Sequence, residues 1–407
     1  MTVLRYGIDS VVELPSAAEG PSGPCGMPQG EPLADPAAAV TAALQQPLEY
    51  PSLPQCTTPG DRVVIALGAE VPQVAQVTSA IVATLITSGI APDGITILRS
   101  EGDVATGMEN PCRLIAPSVA ERIRVLVHDP ASRRNLAYLA ASEGGEPILL
   151  NRLLIDADVV LPVGCMMRER ATGYYGIHTA LYPEFSDERT QARFRKHDRF
   201  SNNGQHRELK NEVNHVAWLL GVHFTVQIVP AAGDSILHVL AGQSDAVRQR
   251  CRELYRAAWT WPIAERAELV VAAIEGGSPH QTWENLGRVL ESAGRLVEDD
   301  GAIAVCCELA ARPGPAMQHL IGAPSRDEAL RQIRRDNPRD AVPALQLAKA
   351  LDAHRVYLLS RLDADLVEEL ELIPVDGPED IARLAQRSRS CLVVANATRA
   401  MIQVGNE

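Results

Sequence analysis

The chain has 407 residues, of which 46% are hydrophobic and 22% charged, and its formal net charge is −13. A chain of this length exceeds one ordinary hydrophobic core, so two domains are expected. Its acidic surface repels phosphate backbones, which argues against a nucleic-acid partner. We see neither a signal peptide at the start nor a stretch near the roughly 20 apolar residues of a spanning helix. The expectation is a cytoplasmic protein with no membrane partner.

The eight cysteines form no Cys-x-x-Cys pair. Cys306 and Cys307 are adjacent in an apolar run, and neighbours in a strand point to opposite faces. The pattern predicts small buried hydrophobes in a reducing compartment.

The first sixty residues are rich in proline and glycine and predict an irregular leading segment that contains one helix, 35–46. Asp35 is its expected N-cap and Pro36 its first residue. A regular alternation follows, with a long irregular stretch from about 164 to 203. The predicted strands are 62–67, 95–98, 122–127, 158–163 and 224–229, and the predicted helices are 72–88, 208–220 and 245–259.

A second alternating unit begins near Trp261 and Pro262. Its predicted strands are 268–274, 302–306, 354–360 and 391–395, and its predicted helices are 281–296, 326–334, 342–351 and 378–386. Strands that alternate with helices indicate crossover connections and parallel sheets. The sequence therefore predicts an α/β protein of two doubly wound domains, 1–262 and 263–407, with mainly parallel sheets and a ligand cleft between them.

Several segments resemble, in order and spacing, the nickel-pincer lactate racemase family over roughly residues 40–400. They are Pro59-Gly60-Asp61-Arg62, Asp156-Ala157-Asp158-Val159-Val160, the loop from Gly173 to Pro183, Gly276-Gly277-Ser278-Pro279, Asp299-Asp300-Gly301-Ala302-Ile303 and the late strand from His354 to Ser360. The resemblance implies a racemase of 2-hydroxy acids. It also implies a nickel-carrying pincer nucleotide, tethered to a lysine, that takes up and returns a hydride. Two histidines on opposite faces of the substrate would act alternately as base and acid.

The sequence departs from the family at the positions that carry this chemistry. Gly68-Ala69-Glu70-Val71 stands where the family has Asp-His-Thr-Arg, and the two catalytic histidines fall at Val104 and Glu169. The tethering lysine falls at Thr179, so covalent attachment of the nucleotide is not expected and the cofactor is left unassigned. His197 lies close to the expected nickel-ligating histidine.

Two residues are the candidates for proton transfer. Glu169 follows a buried strand, where burial would raise the pKa of its carboxyl, or it pairs with a neighbouring arginine as a structural ion pair. His178 lies in the cofactor-like loop, where it either acts chemically or is satisfied by hydrogen bonds. His178 and His197 could also share a metal ion, although their spacing matches no standard motif.

A cationic run of arginine and lysine follows the cofactor-like loop in this acidic chain. Arg193, Arg195 and Lys196 are predicted to bind a small carboxylate, or they form a solvated helix face. Asn285 and Arg288 stand where the family has a glutamine and a lysine facing the cofactor, and the resemblance places them at the same site. Tyr174, next to Gly173 at the loop tip, is a further candidate for hydrogen bonding to the ligand.

Three functions are compatible with this sequence. The first is a divergent racemase or epimerase of a small 2-hydroxy acid. The second is a non-catalytic relative that binds a carboxylate or nucleotide. The third is a metal-assisted lyase or hydrolase. A small-molecule carboxylate is the expected partner, and a homo-oligomer is compatible with the sequence.

Overall fold

The computed structural model describes residues 1–15, 24–169, 173–196 and 203–405. The strands of this part of the chain are β1 (Thr2–Tyr6), β2 (Ser10–Leu14), β3 (Val63–Leu67), β4 (Ile95–Arg99), β5 (Arg124–Val127), β6 (Leu136–Ala141), β7 (Pro147–Asn151), β8 (Val159–Cys165), β9 (Met167–Glu169), β10 (Gly173–Tyr175), β11 (Phe224–Pro230), β12 (Ile236–Gln243), β13 (Thr260–Ile263), β14 (Ala267–Ala273), β15 (Val297–Cys306), β16 (Arg355–Leu359), β17 (Ile373–Pro374), β18 (Cys391–Val394) and β19 (Met401–Val404).

The helices of the same part are α1 (Pro36–Gln45), α2 (Val74–Thr87), α3 (Glu101–Ala105), α4 (Pro117–Ala120), α5 (Arg152–Asp156), α6 (Glu188–Arg195), α7 (Asn203–Leu219), α8 (Ser244–Trp259), α9 (Trp283–Ala293), α10 (Pro315–Gly322), α11 (Arg326–Asp336), α12 (Ala341–Ala353), α13 (Ala364–Glu369) and α14 (Pro378–Arg387). Every predicted strand and helix has a counterpart here, displaced at its ends by at most five residues. At α1 the predicted N-cap is confirmed, since the Asp35 carboxylate accepts a hydrogen bond from the Ala38 backbone N–H at 2.9 Å.

The described residues group into two compact units. Those within Gly30–Phe194 and Asp198–Tyr255 form the six-stranded unit, and those within Met1–Gln29, Arg195–His197 and Arg256–Glu407 form the five-stranded unit. Each unit contains one large sheet, after which it is named here.

The sheet of the six-stranded unit has the order β12-β11-β8-β3-β4-β5. Its strands are parallel except for the antiparallel pair β11 and β12. Strand β3 is buried along its whole length because helices cover both faces. Its alternate residues Val63 and Ile65 pack with α2, while Val64 and Ala66 pack with α7.

The sheet of the five-stranded unit has the order β17-β16-β15-β14-β18 and is entirely parallel. One face packs against α9 and α12, and the other packs against α14. Cys306 belongs to the second apolar cluster and Cys307 to the first, which confirms that the two thiols lie on opposite faces. Both are buried, and burial raises the pKa of each thiol. The α/β class with mainly parallel sheets is confirmed.

The beginning of the chain differs from the irregular segment that its composition predicted. Strands β1 and β2 form an antiparallel hairpin, joined by a turn in which Gly7 has a φ of +62°. Leu4, Val12 and Leu14 alternate with exposed residues, and they pack in the cluster that contains β14. The sequence of both strands does alternate apolar and polar residues with a period of two. The proline-rich stretch that follows them led to the prediction of an irregular segment instead.

This hairpin also changes the division of the chain. The predicted boundary at 262 placed residues 1–262 in one domain, whereas the described residues within Met1–Gln29 group with those within Arg256–Glu407. The physical reason is the apolar face of the hairpin, which is buried against the five-stranded sheet. No helix among the described residues is both long enough and apolar enough to cross a membrane.

Candidate functional site

The strand order of the six-stranded sheet reverses between β3 and β8. The chain proceeds from β3 outward to β4 and β5, and then returns to place β8 on the other side of β3. Ligands of open α/β sheets bind at such a reversal, beyond the carboxyl ends of the strands. The segments that follow β3, β4 and β8 therefore form the candidate site within this unit.

Asp103 lies in the segment that follows β4. Ser100 is the N-cap of α3, and its hydroxyl accepts a hydrogen bond from the Asp103 backbone N–H at 3.2 Å. The Asp103 side chain is turned toward the segment after β3, where its Oδ1 accepts a bond from the Glu70 backbone N–H at 3.3 Å. Only 8% of the residue is exposed.

The Asp103 carboxyl has a pKa raised to about 7. Burial is the main cause, the carboxylates of Glu184 and Glu70 add to it, and the guanidinium of Arg99 opposes it. A carboxyl group with this pKa exchanges protons readily near neutral pH. A carboxyl group with a strongly shifted pKa, located where the strand order of a sheet reverses, is typical of functional sites.

Asp103 was not among the residues that the sequence predicted for the site. The resemblance placed the family's histidine at Val104, and that side chain is 43% exposed. The buried acid is the residue before it. The available signal was Ser100 followed three residues later by an acid, directly after a buried strand, which is the pattern of a helix N-cap.

The segment after β3 has the conformation of a tight turn. Glu70 has a φ of +56°, which is uncommon for a residue with a side chain, and Val71 is buried in the core. The Glu70 backbone N–H is engaged with Asp103.

Thr179 is part of the local structure of its loop. Its hydroxyl donates to the Gly176 carbonyl oxygen at 2.7 Å, and its backbone N–H donates to the same oxygen at 3.2 Å. Gly176 has a φ of +98°, and a Cβ there would lie 2.7 Å from Oε1 of Gln227. The Thr179 hydroxyl is buried and bonded within its own loop, and threonine has no amine to which a nucleotide could be attached. The residues present therefore do not fit a tethered pincer nucleotide.

Purified protein is therefore expected to carry no covalent nucleotide, even when produced with the enzymes that make the pincer cofactor. Thr179→Lys alone should not create the adduct, because Gly68 and Val71 still stand in place of the side chains that the resemblance expects to hold the nucleotide. Intact mass spectrometry of both proteins measures the outcome. Added mass on the wild-type chain would contradict the expectation.

His178, adjacent to Thr179, is oriented by α7. Its Nδ1 lies 2.9 Å from the Asn214 side-chain oxygen, which can only accept, so Nδ1 carries the proton. Its Nε2 is buried and has no hydrogen-bond partner among the described residues. Burial is the main cause of its lowered pKa, the bond to Asn214 opposes this, and Arg248 contributes to the lowering. The imidazole is thus a neutral group with an available lone pair.

Arg193, predicted to bind an anion, pairs with a carboxylate of its own unit. Its Nη1 donates to Glu212 at 2.9 Å, and its Nη2 contacts Glu212 and donates to the Tyr182 hydroxyl at 3.0 Å. Tyr182 also donates to Glu212, and burial is the main reason that the pKa of this phenol is raised. Most of the Arg193 donors are engaged in this network, which joins α6 to α7.

The remaining predicted site residues near this network lie on or directly after α6, on β9 and β10, or outside the described residues. Arg195 is half-buried at the end of α6 and Lys196 is exposed. Glu169 ends β9, where its backbone pairs with Gly173, and Tyr174 lies in β10. The side chains of Glu169 and Tyr174, and the whole of His197, lie outside what the structure describes.

In the five-stranded unit, Asn285 and Arg288 lie at the start of α9. The Asn285 amide donates to the His280 carbonyl oxygen at 2.9 Å and accepts from Arg288 Nη1 at 2.9 Å. Asn285 is buried, so its side chain braces the first turn of the helix. A role toward a ligand remains a prediction for both residues. Among the described residues, no three His, Cys, Asp or Glu side chains are grouped so that they could hold a metal ion.

The sequence and the fold of this chain are similar to those of known proteins. Residues 19–207 match the model of the lactate racemase N-terminal domain. The chain resembles the lactate racemase apoprotein from Thermoanaerobacterium thermosaccharolyticum with a TM-score of 0.79 and 15% identity, over 98% of this chain and 99% of that one. It also resembles a protein from Thermotoga maritima with a TM-score of 0.64 and 13% identity, over 92% of this chain and 99% of that one. No curated protein sequence matches it. At these identities the structural likeness shows the fold alone.

Proposed function

We propose that the protein is an acid–base isomerase, a racemase or epimerase, of a small 2-hydroxy or keto acid. The match of residues 19–207 to the model of the lactate racemase N-terminal domain supports this proposal. The observation that carries the proposal is Asp103, a buried carboxyl beside the strand-order reversal that titrates near neutral pH. Asp103 would take up a proton from one face of the substrate, and inversion requires a second group that delivers a proton to the opposite face. The residues present do not fit the pincer nucleotide, so no step is assigned to it.

The surroundings of Asp103 suggest how an acid substrate would be held. The Arg99 guanidinium acts on the Asp103 carboxyl and gives one N–H to the Met108 carbonyl oxygen at 3.2 Å. A guanidinium has five N–H donors, and two parallel ones match a carboxylate. Arg99 is therefore the residue proposed to bind the substrate carboxylate at this site. His178 remains a second candidate for proton transfer.

The test is proton exchange in deuterium oxide. We expect a panel of D- and L-2-hydroxy acids and 2-keto acids to contain at least one acid that exchanges a carbon-bound proton, at C2 of a hydroxy acid or at C3 of a keto acid, as followed by proton NMR. Chiral chromatography then separates racemisation from exchange without inversion. The exchange rate should depend on a group that ionises near pH 7. Absence of exchange in every acid, with or without added nickel or zinc, would refute the proposal.

The second candidate function is that of a non-catalytic relative. It is supported by Thr179, which stands in place of the tethering lysine and whose hydroxyl is hydrogen-bonded within its own loop. Such a protein would bind a carboxylate or nucleotide and leave it unchanged. Calorimetric binding of an acid that shows no exchange would favour this candidate. The metal-assisted lyase or hydrolase remains a prediction that depends on His197.

A further inference from the structure

His128 directly follows β5 and contacts two of the segments that flank the candidate site. Its backbone N–H donates to the Arg99 carbonyl oxygen at 2.8 Å, at the end of β4. Its ring Nε2 lies 2.8 Å from the Ser186 carbonyl oxygen. Ser186 belongs to residues 176–187, which connect β10 to α6 and are called the β10–α6 segment here. Only 2% of His128 is exposed. This one residue therefore joins the end of β4 to the segment that contains His178.

The protonation state of the His128 ring follows from its two partners. The Ser186 carbonyl oxygen can only accept, so Nε2 carries a proton. On the other side, Nδ1 lies 3.1 Å from the side-chain nitrogen of Asn151. The Asn151 side-chain oxygen accepts from the Leu153 backbone N–H at 3.1 Å, at the cap of α5, and this bond determines the orientation of the amide. Asn151 is therefore the donor to Nδ1, and the ring is neutral in this arrangement.

A second proton on this ring has no acceptor. It would lie on Nδ1 and point at the Asn151 amide nitrogen, which is itself a donor. Burial lowers the pKa of His128, while the bond to Ser186 and three carboxylates at a distance oppose this effect. The buried position favours the neutral ring, and a charged ring favours contact with water.

The charged groups of the surrounding elements do not supply the missing acceptor. They are Glu101 on α3, Asp129 after β5, Asp187 before α6, Arg99 at the end of β4 and Arg152 on α5. The Asp129 carboxylate accepts from the Ala131 backbone N–H, and the Asp187 carboxylate accepts from Thr190. Both guanidinium groups donate to backbone carbonyl oxygens. The amide of Asn151 thus remains the group that faces Nδ1.

Two backbone bonds cross the same junction beside the ring. The Asn151 N–H donates to the Phe185 carbonyl oxygen at 2.8 Å, and the Glu188 N–H donates to the Pro130 carbonyl oxygen at 3.2 Å. The Phe185 ring packs edge-on against His128, with 5.7 Å between the ring centroids. These bonds report whether the β10–α6 segment is in place.

We propose that His128 is a positioning residue, which holds the β10–α6 segment against the end of β5 as a neutral ring and releases it on gaining a second proton. Release would separate the segment that contains His178 from the segment after β4. The candidate site is then assembled at neutral pH and loosened in acid. This proposal does not depend on the reaction proposed for Asp103.

The sign of the pH dependence follows from the lowered pKa. The contribution of His128 to the junction is fully present above about pH 6.5, the ordinary pKa of histidine. It is lost as the pH falls from there through the lowered pKa of the folded state. Protonation of Asp103 stabilises the folded chain over the same range, so it cannot produce this loss.

Amide hydrogen exchange of the full chain at pH 7.5 and pH 5 measures the junction. The reporters are the backbone N–H groups of Asn151 and Glu188, each corrected for its intrinsic exchange rate. Their protection should fall in acid by up to about tenfold for each unit by which folding lowers the pKa of His128. Equal protection at the two pH values would overturn the proposal.

Two substitutions separate the titration of His128 from its packing. In His128→Gln the side-chain amide can still donate to the Ser186 carbonyl oxygen but does not titrate, so the acid-dependent loss should disappear. In Asn151→Asp the carboxylate still accepts from the Leu153 N–H and also offers Nδ1–H an acceptor. The pKa of His128, followed by NMR of its ring protons, should then rise above 6.5, and protection should increase in acid.

The exposed His223 provides the matched control. His223→Gln should lose protection in acid as the wild type does. If His128→Gln loses as much protection as the wild type, or if His223→Gln abolishes the loss, His128 is not the group responsible. A fall of protection in Asn151→Asp equal to that of the wild type would contradict the role of the Asn151 amide, and with it the proposed release.

Discussion

Asp103→Asn is expected to abolish proton exchange and, at the same time, to make the protein more stable at pH 8. A general base contributes about 10²–10⁴-fold to a rate, so the exchange rate should fall by at least a hundredfold. The gain in stability follows from burial. Asparagine has the same shape, can still accept the bond from the Glu70 backbone N–H, and carries no charge.

The dependence on pH has a definite sign. Folding raises the pKa of Asp103 from an ordinary value near 4 to about 7, so the folded protein favours the protonated form. The stability associated with this group is fully present below pH 4 and is lost as the pH rises through 7. At about 1.4 kcal/mol for each unit of pKa, the loss is about 4 kcal/mol above pH 7. The groups that act on this carboxyl are Glu184, Glu70 and Arg99.

Urea denaturation at pH 4 and pH 8 measures this difference. Asp103→Asn should gain up to about 4 kcal/mol in its free energy of unfolding at pH 8 and almost nothing at pH 4. The exposed Asp376→Asn serves as the matched control and should change neither value nor the exchange rate. A variant that loses stability at pH 8 would mean that the Asp103 carboxylate is held by a partner rather than kept protonated by burial. Retained exchange would remove Asp103 from the proposed reaction.

Glu212→Gln is expected to cost about 2 kcal/mol of stability, because it leaves the Arg193 guanidinium in a mostly buried position without its counter-charge. The side chains of Arg193 and Glu212 are 23% and 14% exposed, so solvent reduces the cost below that of a fully buried pair. The double variant Arg193→Met, Glu212→Leu should recover much of the loss, since no charge remains to be desolvated.

Thermal and urea denaturation of Arg193→Met, Glu212→Leu and the double variant form the cycle that isolates this interaction, and Glu212→Gln is measured beside them. The exposed pair of Arg122 and Asp93 is the control, and Asp93→Asn should have little effect. If Glu212→Gln is as stable as the wild type, the network does not hold α6 to α7, and Arg193 is available for the anion that the sequence predicted.

The order of strands and helices was determined by the sequence alone. The apolar run of β3 and the caps of α1 are local signals, and local signals specify secondary structure directly. The parallel sheets followed from the alternation of these elements. The relationship to the lactate racemase N-terminal domain, inferred from short segments in conserved order, is confirmed for residues 19–207.

The chemistry of the site was decided only by tertiary structure. Asp103 and Val104 are neighbours in an unremarkable stretch of sequence, and only the contact with the turn after β3 makes the acid buried and the valine exposed. Arg193 looked like one member of a cationic run, yet Glu212, nineteen residues away, is its partner. Burial and charge pairing depend on atoms brought together from distant parts of the chain, and the pKa and availability of a side chain depend on both. The sequence pattern therefore determined the framework, whereas the fold determined which side chains are free to react.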